Sequence, residues 1–435
     1  IFLVFPSEFL PRILEEKRRG EKFMEKSPLF TPIAIGKKEA TNRLVINAME
    51  CCDSDELGNP SPRTYRRYAR LFEGGAGVIF LEAITVSYES RARLNQLSIM
   101  PHNAKPLEKF VAEMKRVNPK PLFIFQLTHA GELSNPEFSR RVCVKPLPGL
   151  GGDLLSEEDV DAIIDQFVLG ARIAYDAGAD GVDVKLCHGY LGTQILRPYN
   201  DRPWKYGGPW ERRRQFAFEI YERIRKAIPD PNFLLGSKVT MWEGIPGGQG
   251  CAGPDTAIMD LSEPLDLLRG LKERGANFIL VSAGNPSLTI ALAHPDKRIP
   301  DYAYLHHYFQ KEARKVLAPE VVTMGSAYSI FRDGNNNFLG VEREKSSLLY
   351  WGNKNIEDGV VDMIAIGRQS LADPFLPKKL LEGKPEEVRW CTLCDACMEL
   401  LIRQQPTGCV VHEKEYAEIL RETRKKYGVL KFKHT

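Results

Sequence analysis

Two groups of residues in this chain carry side chains fit for chemistry. The first is Lys185-Leu186-Cys187-His188-Gly189-Tyr190, which sets an ammonium, an imidazole and a phenol within six residues. Such groups can stabilise developing negative charge and move a proton. Lys185 or Lys238 could equally form a Schiff base with a carbonyl substrate. The plainer reading is a satisfied His and Tyr in a long loop. The second group is Cys391-Thr392-Leu393-Cys394-Asp395-Ala396-Cys397, with Cys409 further on. Three thiolates at three-residue spacing plus a distant fourth suit a [4Fe–4S] cluster. A structural zinc is the main alternative, although zinc sites usually present two separated Cys-x-x-Cys knuckles. Free thiols are the third reading. Cys51, Cys52, Cys143 and Cys187 read as packing residues or pocket walls.

The elements that must position these groups recur along the chain. Short apolar runs occupy Asn42–Ala48, Gly77–Glu82, Pro121–Gln126, Gly181–Leu186, Phe233–Val239, Asn277–Ser282, Val321–Gly325 and Val361–Gly367. Strands covered on both faces read as such runs, because crossover helices bury a parallel sheet. Amphipathic helices fit between them, for example Ser156–Ala177, Trp210–Ala227 and Glu263–Arg274. The first of these opens with a capping-box start at Ser156 and gives way to Gly178. Eightfold strand–helix alternation predicts an α/β fold, a (β/α)₈ TIM barrel with a short C-terminal cysteine-rich extension. An open doubly wound sheet is the competitor. The expected organisation is an N-terminal extension over 1–27, the barrel over 28–384, and the cysteine segment with its tail over 385–435. The connections Cys187–Pro209 and Thr240–Ser262 leave the C-terminal face, and the second, rich in Gly and Pro, is expected to act as a lid.

Composition narrows the partners. The 435 residues are 27% charged and carry a net charge of +3. Lys and Arg are dispersed, so no nucleic-acid or membrane-surface partner is expected. No apolar run reaches the length of a transmembrane helix. Ile1–Phe5 is too short for a signal-peptide core, and Met24 resembles a natural start. Nine cysteines without a secretory signal suggest reduced thiols and a cytoplasmic protein.

The strand-four stretch continues through Arg197-Pro198, Asn200-Asp201-Arg202 and Lys205-Tyr206-Gly207-Gly208. From Pro28 to Val411 the chain resembles the old yellow enzyme, or NADH:flavin oxidoreductase, family. Within it, the barrels of 2,4-dienoyl-CoA reductase and trimethylamine dehydrogenase are most similar. The resemblance implies FMN and reduction of an activated C=C bond. It places Lys185 and His188 at the pair that hydrogen-bonds the substrate carbonyl, with lysine a departure from the usual His. Tyr190 stands at the proton donor. For the flavin, it implies Ala48, Met49 and Glu50 after strand one, Ala83 after strand two, and Gln126 on the pyrimidine ring. Lys238 falls near N1 and O2, and Gly325, Ser326, Gly367 and Arg368 fall around the phosphate. An unpaired carboxylate at Glu50 would disfavour anionic reduced flavin. The cysteine spacing is similar to the cluster segment beyond the barrel in the same two relatives.

Three functions remain open on sequence. The first is an ene-reductase acting on an α,β-unsaturated carbonyl or thioester. The second is a flavin amine dehydrogenase or demethylase, which needs an aromatic cage for which Trp242, Tyr302, Tyr304 and Tyr350 are candidates. The third is a flavin-free Schiff-base barrel. No Gly-x-Gly-x-x-Gly directly joins a strand to a helix, so NAD(P)H is expected to meet the flavin directly, or a separate electron-donor protein to supply it. A small-molecule substrate and a homo-oligomer are expected.

Overall fold

In a computed structural model that describes residues 27–335 and 340–430, the eight apolar runs become eight parallel strands of one closed barrel. They are β1 (Leu44–Ile46), β2 (Val78–Thr85), β3 (Leu122–Thr128), β4 (Gly181–Val184), β5 (Leu234–Thr240), β6 (Phe278–Ser282), β7 (Val322–Gly325) and β8 (Met363–Ile366). Each pairs with its sequence neighbours, and β8 pairs with β1 to close the ring. The crossover helices are α1 (Pro62–Gly74), α2 (Ala104–Val117), α3 (Glu157–Asp176), α4 (Gln215–Ala227), α5 (Ser262–Glu273), α6 (Asp301–Leu317), α7 (Leu348–Glu357) and α8 (Arg368–Ala372). The predicted helix at Trp210–Ala227 is broken at Arg214, so its first turn stands apart as Trp210–Arg213. The capping box of α3 is present: Ser156 Oγ accepts from the Asp159 amide, and Asp159 accepts from the Ser156 amide.

The runs are continuous because each strand faces apolar surroundings on both sides. On β2, Val78 and Phe80 point into the barrel while Ile79 and Leu81 meet the helices. On β6, Phe278 and Leu280 point in while Ile279 and Val281 point out. A strand alternates faces at every residue. Gly236 on β5 has a packing reason, since a Cβ there would lie 2.4 Å from the Phe278 ring. Below the barrel, the hairpin Ile33–Ile35/Lys38–Ala40 joins the interior cluster through Ile35 and Ala40. It plugs the N-terminal end, and no apolar periodicity announces strands of only three residues.

The same inward rows change character toward the other end. Continuing by twos from the apolar interior residues reaches Asn47, Gln126, Lys238, Ser282, Ser326 and Gly367, and on β4 the inward Asp183 leads to Lys185; all but Asp183 are on the wall of one cavity. The barrel is filled below and polar above, and the mouth lies at the C-terminal ends of the strands, as barrel active sites do.

After the barrel come α9 (Leu376–Leu381), α10 (Ala396–Ile402) and α11 (Lys414–Tyr427). Ion pairs from α1 hold this tail: Arg63 and Arg66 reach Glu415, and Arg70 reaches Glu413. Among the described residues no helix is long and apolar enough to cross a membrane. Residues 1–26 of the predicted extension lie outside the described residues.

Candidate active site at the barrel mouth

The cavity has a volume of about 1170 Å³ including its open mouth. Its wall contains Ala48, Met49, Glu50, Gln126, Lys185, His188, Tyr190, Lys238, Ser326, Gly367 and Arg368. Dispersed over 321 positions of sequence, these predicted residues are brought together. Two others are not. Ala83 is buried at the register shift of β2, where its carbonyl accepts from Gln96 Nε2 at 2.9 Å, away from the wall. Gly325 ends β7 facing α6, where a Cβ would meet Gln310 Oε1 at 2.4 Å, so its smallness serves the helix contact.

Glu50 organises one side of the cavity. Its Oε1 accepts from the Tyr190 phenol at 2.6 Å and from Lys185 Nζ at 3.3 Å. Its Oε2 accepts from Arg93 Nε at 3.0 Å. The carboxylate is therefore paired, and the cations override the effect of burial and hold its pKa at about 2. Burial beside Glu50 holds the Tyr190 phenol well above its ordinary pKa, so it keeps its proton. Lys185 Nζ also sits 3.3 Å from the Tyr190 ring centre, a cation–π contact. Burial next to Lys238 and Lys185 keeps His188 neutral. Its Nε2 lies 2.8 Å from Ser282 Oγ, and its amide donates to Thr240 Oγ1 at 3.0 Å. His188 Nδ1 has no hydrogen-bond partner among the described residues, and Ser282 donating to Nε2 would put the imidazole proton on Nδ1. The residue adopts a left-handed φ of 63°, uncommon for a side-chain-bearing residue.

Deeper in the cavity, Gln126 Nε2 donates to Asp183 Oδ2 at 2.6 Å, and the amide oxygen has no partner among the described residues. Asp183 Oδ1 accepts from the Lys238 amide, and burial pushes this carboxyl up to about 6. The Lys238 ammonium has no hydrogen-bond or ion-pair partner among the described residues, although the residue is only 7% exposed. At the strand-seven and strand-eight turns, Ser329 Oγ accepts from the amides of Gly367 and Gln369. The Ser326 amide turns to the Val281 carbonyl. These two predicted phosphate amides are thus already engaged, as is the Arg368 guanidinium, which donates to Asp395 Oδ1 at 2.9 Å and to the Pro295 carbonyl at 2.7 Å.

That contact joins the barrel to the cysteine segment. Met398 and Leu401 of α10 line the cavity, so the segment forms part of its wall. Leu393 and Asp395 turn the chain through left-handed conformations, with Cys394 exposed and Cys391, Cys397 and Cys409 partly covered. The thiols lie near enough that Cys394 and Cys409 each raise the pKa of Cys391. As placed, however, no three His, Cys, Asp or Glu side chains among the described residues gather to hold a metal ion.

Other expectations need correction. The Gly- and Pro-rich connection after β5 is not a lid, since none of its residues lines the cavity. It is fastened: Glu243 accepts from Arg197 Nε at 2.8 Å and from the Gln249 amide at 3.0 Å, and Gly247 accepts from the Tyr199 amide. Arg197 also reaches Glu132, making a buried triad that ties together the connections after β3, β4 and β5. The cage candidates Trp242, Tyr302, Tyr304 and Tyr350 are absent from the wall, and Tyr304 packs instead with Phe331 and Trp351. Cys187 is not on the wall either, and burial pushes its thiol up to about 12. Sequence reading also passed over Arg93, Ser282 and His294. Ser282 and Asn47 were detectable as the polar ends of inward rows, whereas Arg93 and His294 sit on irregular loops with no such signal.

Fold and site together define a (β/α)₈ barrel with a cation-rich cavity at its C-terminal mouth, the arrangement of a barrel oxidoreductase. The model of the NADH:flavin oxidoreductase / NADH oxidase family matches residues 28–269, more than half of the chain, and the chain belongs to that family. It is 29% identical over 376 residues to an NADH oxidase of Thermoanaerobacter brockii, covering 84% of this chain and 52% of that protein. It is 30% identical over 421 residues to a cinnamate reductase of Clostridium sporogenes, covering 89% of this chain and 58% of that protein. The chain thus spans about half the length of these curated relatives. A 2-naphthoyl-CoA reductase structure shares the fold, with a TM-score of 0.74 at 20% identity over 90% of this chain and 58% of that one.

The residues present fit the flavin that the family implies. Lys238 offers a buried cation without a partner, and Gln126 an oriented amide with a free oxygen. Gly367 keeps the cavity floor open, because a Cβ there would crowd Met49 Sδ at 2.9 Å.

Proposed function

We propose that the protein is an FMN-dependent reductase of activated C=C bonds. The observation that carries this reading is the convergence of Lys185, His188 and Tyr190 on one cavity with Gln126 and Lys238 beneath them. Gln126 and Lys238 would hold the pyrimidine side of the flavin, and the turns at Ser326 and Gly367 would flank its phosphate. Reduced FMN, when bound, supplies a hydride. Lys185 and the Nδ1 proton of His188 stabilise negative charge that develops on the substrate oxygen. Tyr190 holds a proton for the substrate carbon next to the carbonyl. Glu50 keeps that phenol in place, and its pairing removes the objection to a carboxylate near the flavin. An amine dehydrogenase is less well supported, because its aromatic cage residues lie off the wall.

The test is anaerobic re-oxidation of the reduced, FMN-loaded protein by enones, enoyl thioesters and methylamines. Enones or enoyl thioesters should re-oxidise it, and re-oxidation by amines alone would refute the reading. The electron donor is proposed to be NAD(P)H, checked by flavin bleaching under the same conditions. A [4Fe–4S] centre on Cys391, Cys394, Cys397 and Cys409 rests on the sequence spacing. The thiols as placed form no metal-holding group, so no step is routed through it. Iron and acid-labile sulfide assays on anaerobically purified protein decide it, and about four of each per chain is the expected result. A cytoplasmic location is proposed from the cysteine usage alone.

A further inference from the structure

Among the described residues, five charged side chains line the cavity: Arg93, Lys185, Lys238, Arg368 and, as the sole carboxylate, Glu50. Lys238 sits below with Gln126, and Arg368 is occupied by Asp395. On the substrate side, Glu50 is shared between Lys185 and Arg93, which leaves one positive charge in excess. Neither cation is saturated. Arg93 bonds Glu50 through Nε only, and no protein acceptor among the described residues takes its two terminal nitrogens. Lys185 has a single bond to Glu50, at 3.3 Å, although the side chain is 4% exposed. Unused donors on two adjacent cations, one of them a planar guanidinium, match a carboxylate. Around them the wall is apolar, with Ala92, Leu133, Met398 and Leu401.

We infer that the substrate is itself an anion, an α,β-unsaturated carboxylate with an apolar or aromatic body, held through its carboxylate by Arg93 and Lys185. This deepens the reductase reading and rests on it. The two electrons and one hydrogen would come as a hydride equivalent from reduced nicotinamide by way of the flavin; as the C–H bond forms at the β carbon the π pair moves onto the carboxylate, and the Tyr190 proton completes the α carbon. A neutral enone would carry one negative charge at that stage, whereas a carboxylate carries two. Two cations are therefore called for where a neutral hydrogen-bond pair serves a ketone. Lysine at 185 is explained on these grounds.

Trans-cinnamate and trans-cinnamaldehyde share one skeleton and differ in charge, so they serve as the paired probes on FMN-loaded protein reduced anaerobically. Binding of 3-phenylpropanoate, the saturated counterpart of cinnamate, and of the neutral alcohol 3-phenylpropanol on the same carbon skeleton, to the oxidised holoprotein by calorimetry gives a readout independent of turnover. The acid should bind at least about tenfold more tightly than the alcohol, the typical worth of a charge-assisted hydrogen bond, and added salt should erode that preference. Arg93→Gln should abolish the preference while leaving the alcohol within about twofold. If that variant does not fold, Lys185→Met and the salt titration of the unmodified protein provide the same comparison. Equal binding of acid and alcohol, or a parallel loss of both in Arg93→Gln, overturns the inference. Re-oxidation by cinnamaldehyde but not cinnamate overturns it and leaves the reductase reading standing. Re-oxidation by methylamines alone overturns both.

Discussion

Glu50 and Tyr190, 140 residues apart in sequence, share a hydrogen bond of 2.6 Å at the barrel mouth. One lies on the exit of β1 and the other beyond β4, so their meeting depends on the closed ring. The carboxylate orients the phenol, and burial beside the carboxylate keeps the phenol protonated.

Loss of that carboxylate should be visible in acid stability. Its pKa is lowered from 4.5 to about 2 in the folded protein. A lowered carboxylate pKa stabilises the fold above the unfolded value and ceases to do so as pH falls through the folded one. The contribution, about 3 kcal/mol by linkage, should therefore be complete above about pH 4.5 and vanish toward pH 2. Denaturation followed across that window should show a shallower pH slope in Glu50→Gln than in the parent. An unchanged slope would contradict the pairing.

Tyr190→Phe should slow re-oxidation by the alkene by about a hundredfold, a typical worth of general acid catalysis. Flavin reduction by NAD(P)H should be nearly unchanged. Stopped-flow measurement of the two half-reactions separately checks this, and an equal loss in both would show the phenol to be structural.

His188 combines a side-chain role with a left-handed backbone. His188→Ala should weaken substrate binding and turnover while FMN stays bound. His188→Asn should retain more of both, because Asn tolerates φ of 63° and still donates a hydrogen bond. Flavin content and KM against kcat in the two variants distinguish the roles. Loss of flavin from either would show that the residue is misplaced here.

Arg197 is 1% exposed and bridges Glu132 and Glu243. Arg197→Met would leave two buried carboxylates without their cation and should destabilise the protein by about 3–5 kcal/mol. Chemical denaturation of the FMN-free protein measures it, and a loss under 1 kcal/mol would show that the triad fastens nothing.

The barrel was legible because its strands are buried on both faces. Val78-Ile79-Phe80-Leu81 is a continuous apolar run, and alternate residues meet different cores. Much of the site was legible as well: Gln126 and Lys238 lie on inward rows that begin with apolar residues, and Lys185 follows the inward Asp183 on β4. Partnerships were not. Arg93 reaches Glu50 from an irregular connection, and nothing near it in sequence identifies which carboxylate it meets. Arg368 matched a phosphate position by its place after β8, yet its guanidinium is drawn away by Asp395, a residue of the cysteine segment. Local pattern reports burial and period, whereas pairing between loops is decided by the closed fold.

The boundary expected at residue 385 separates two stretches of sequence but not two working parts. Beyond it, Met398 and Leu401 form part of the cavity wall, and Gln404 clasps the Arg93 loop, accepting from the Leu94 amide and donating to the Ala92 carbonyl. A barrel trimmed of that tail would have an open-sided pocket, and the Arg93 loop would keep the bond to Glu50 but lose its clasp from Gln404. Exchanging tails between relatives should therefore reshape which molecules are accepted without altering a single barrel residue.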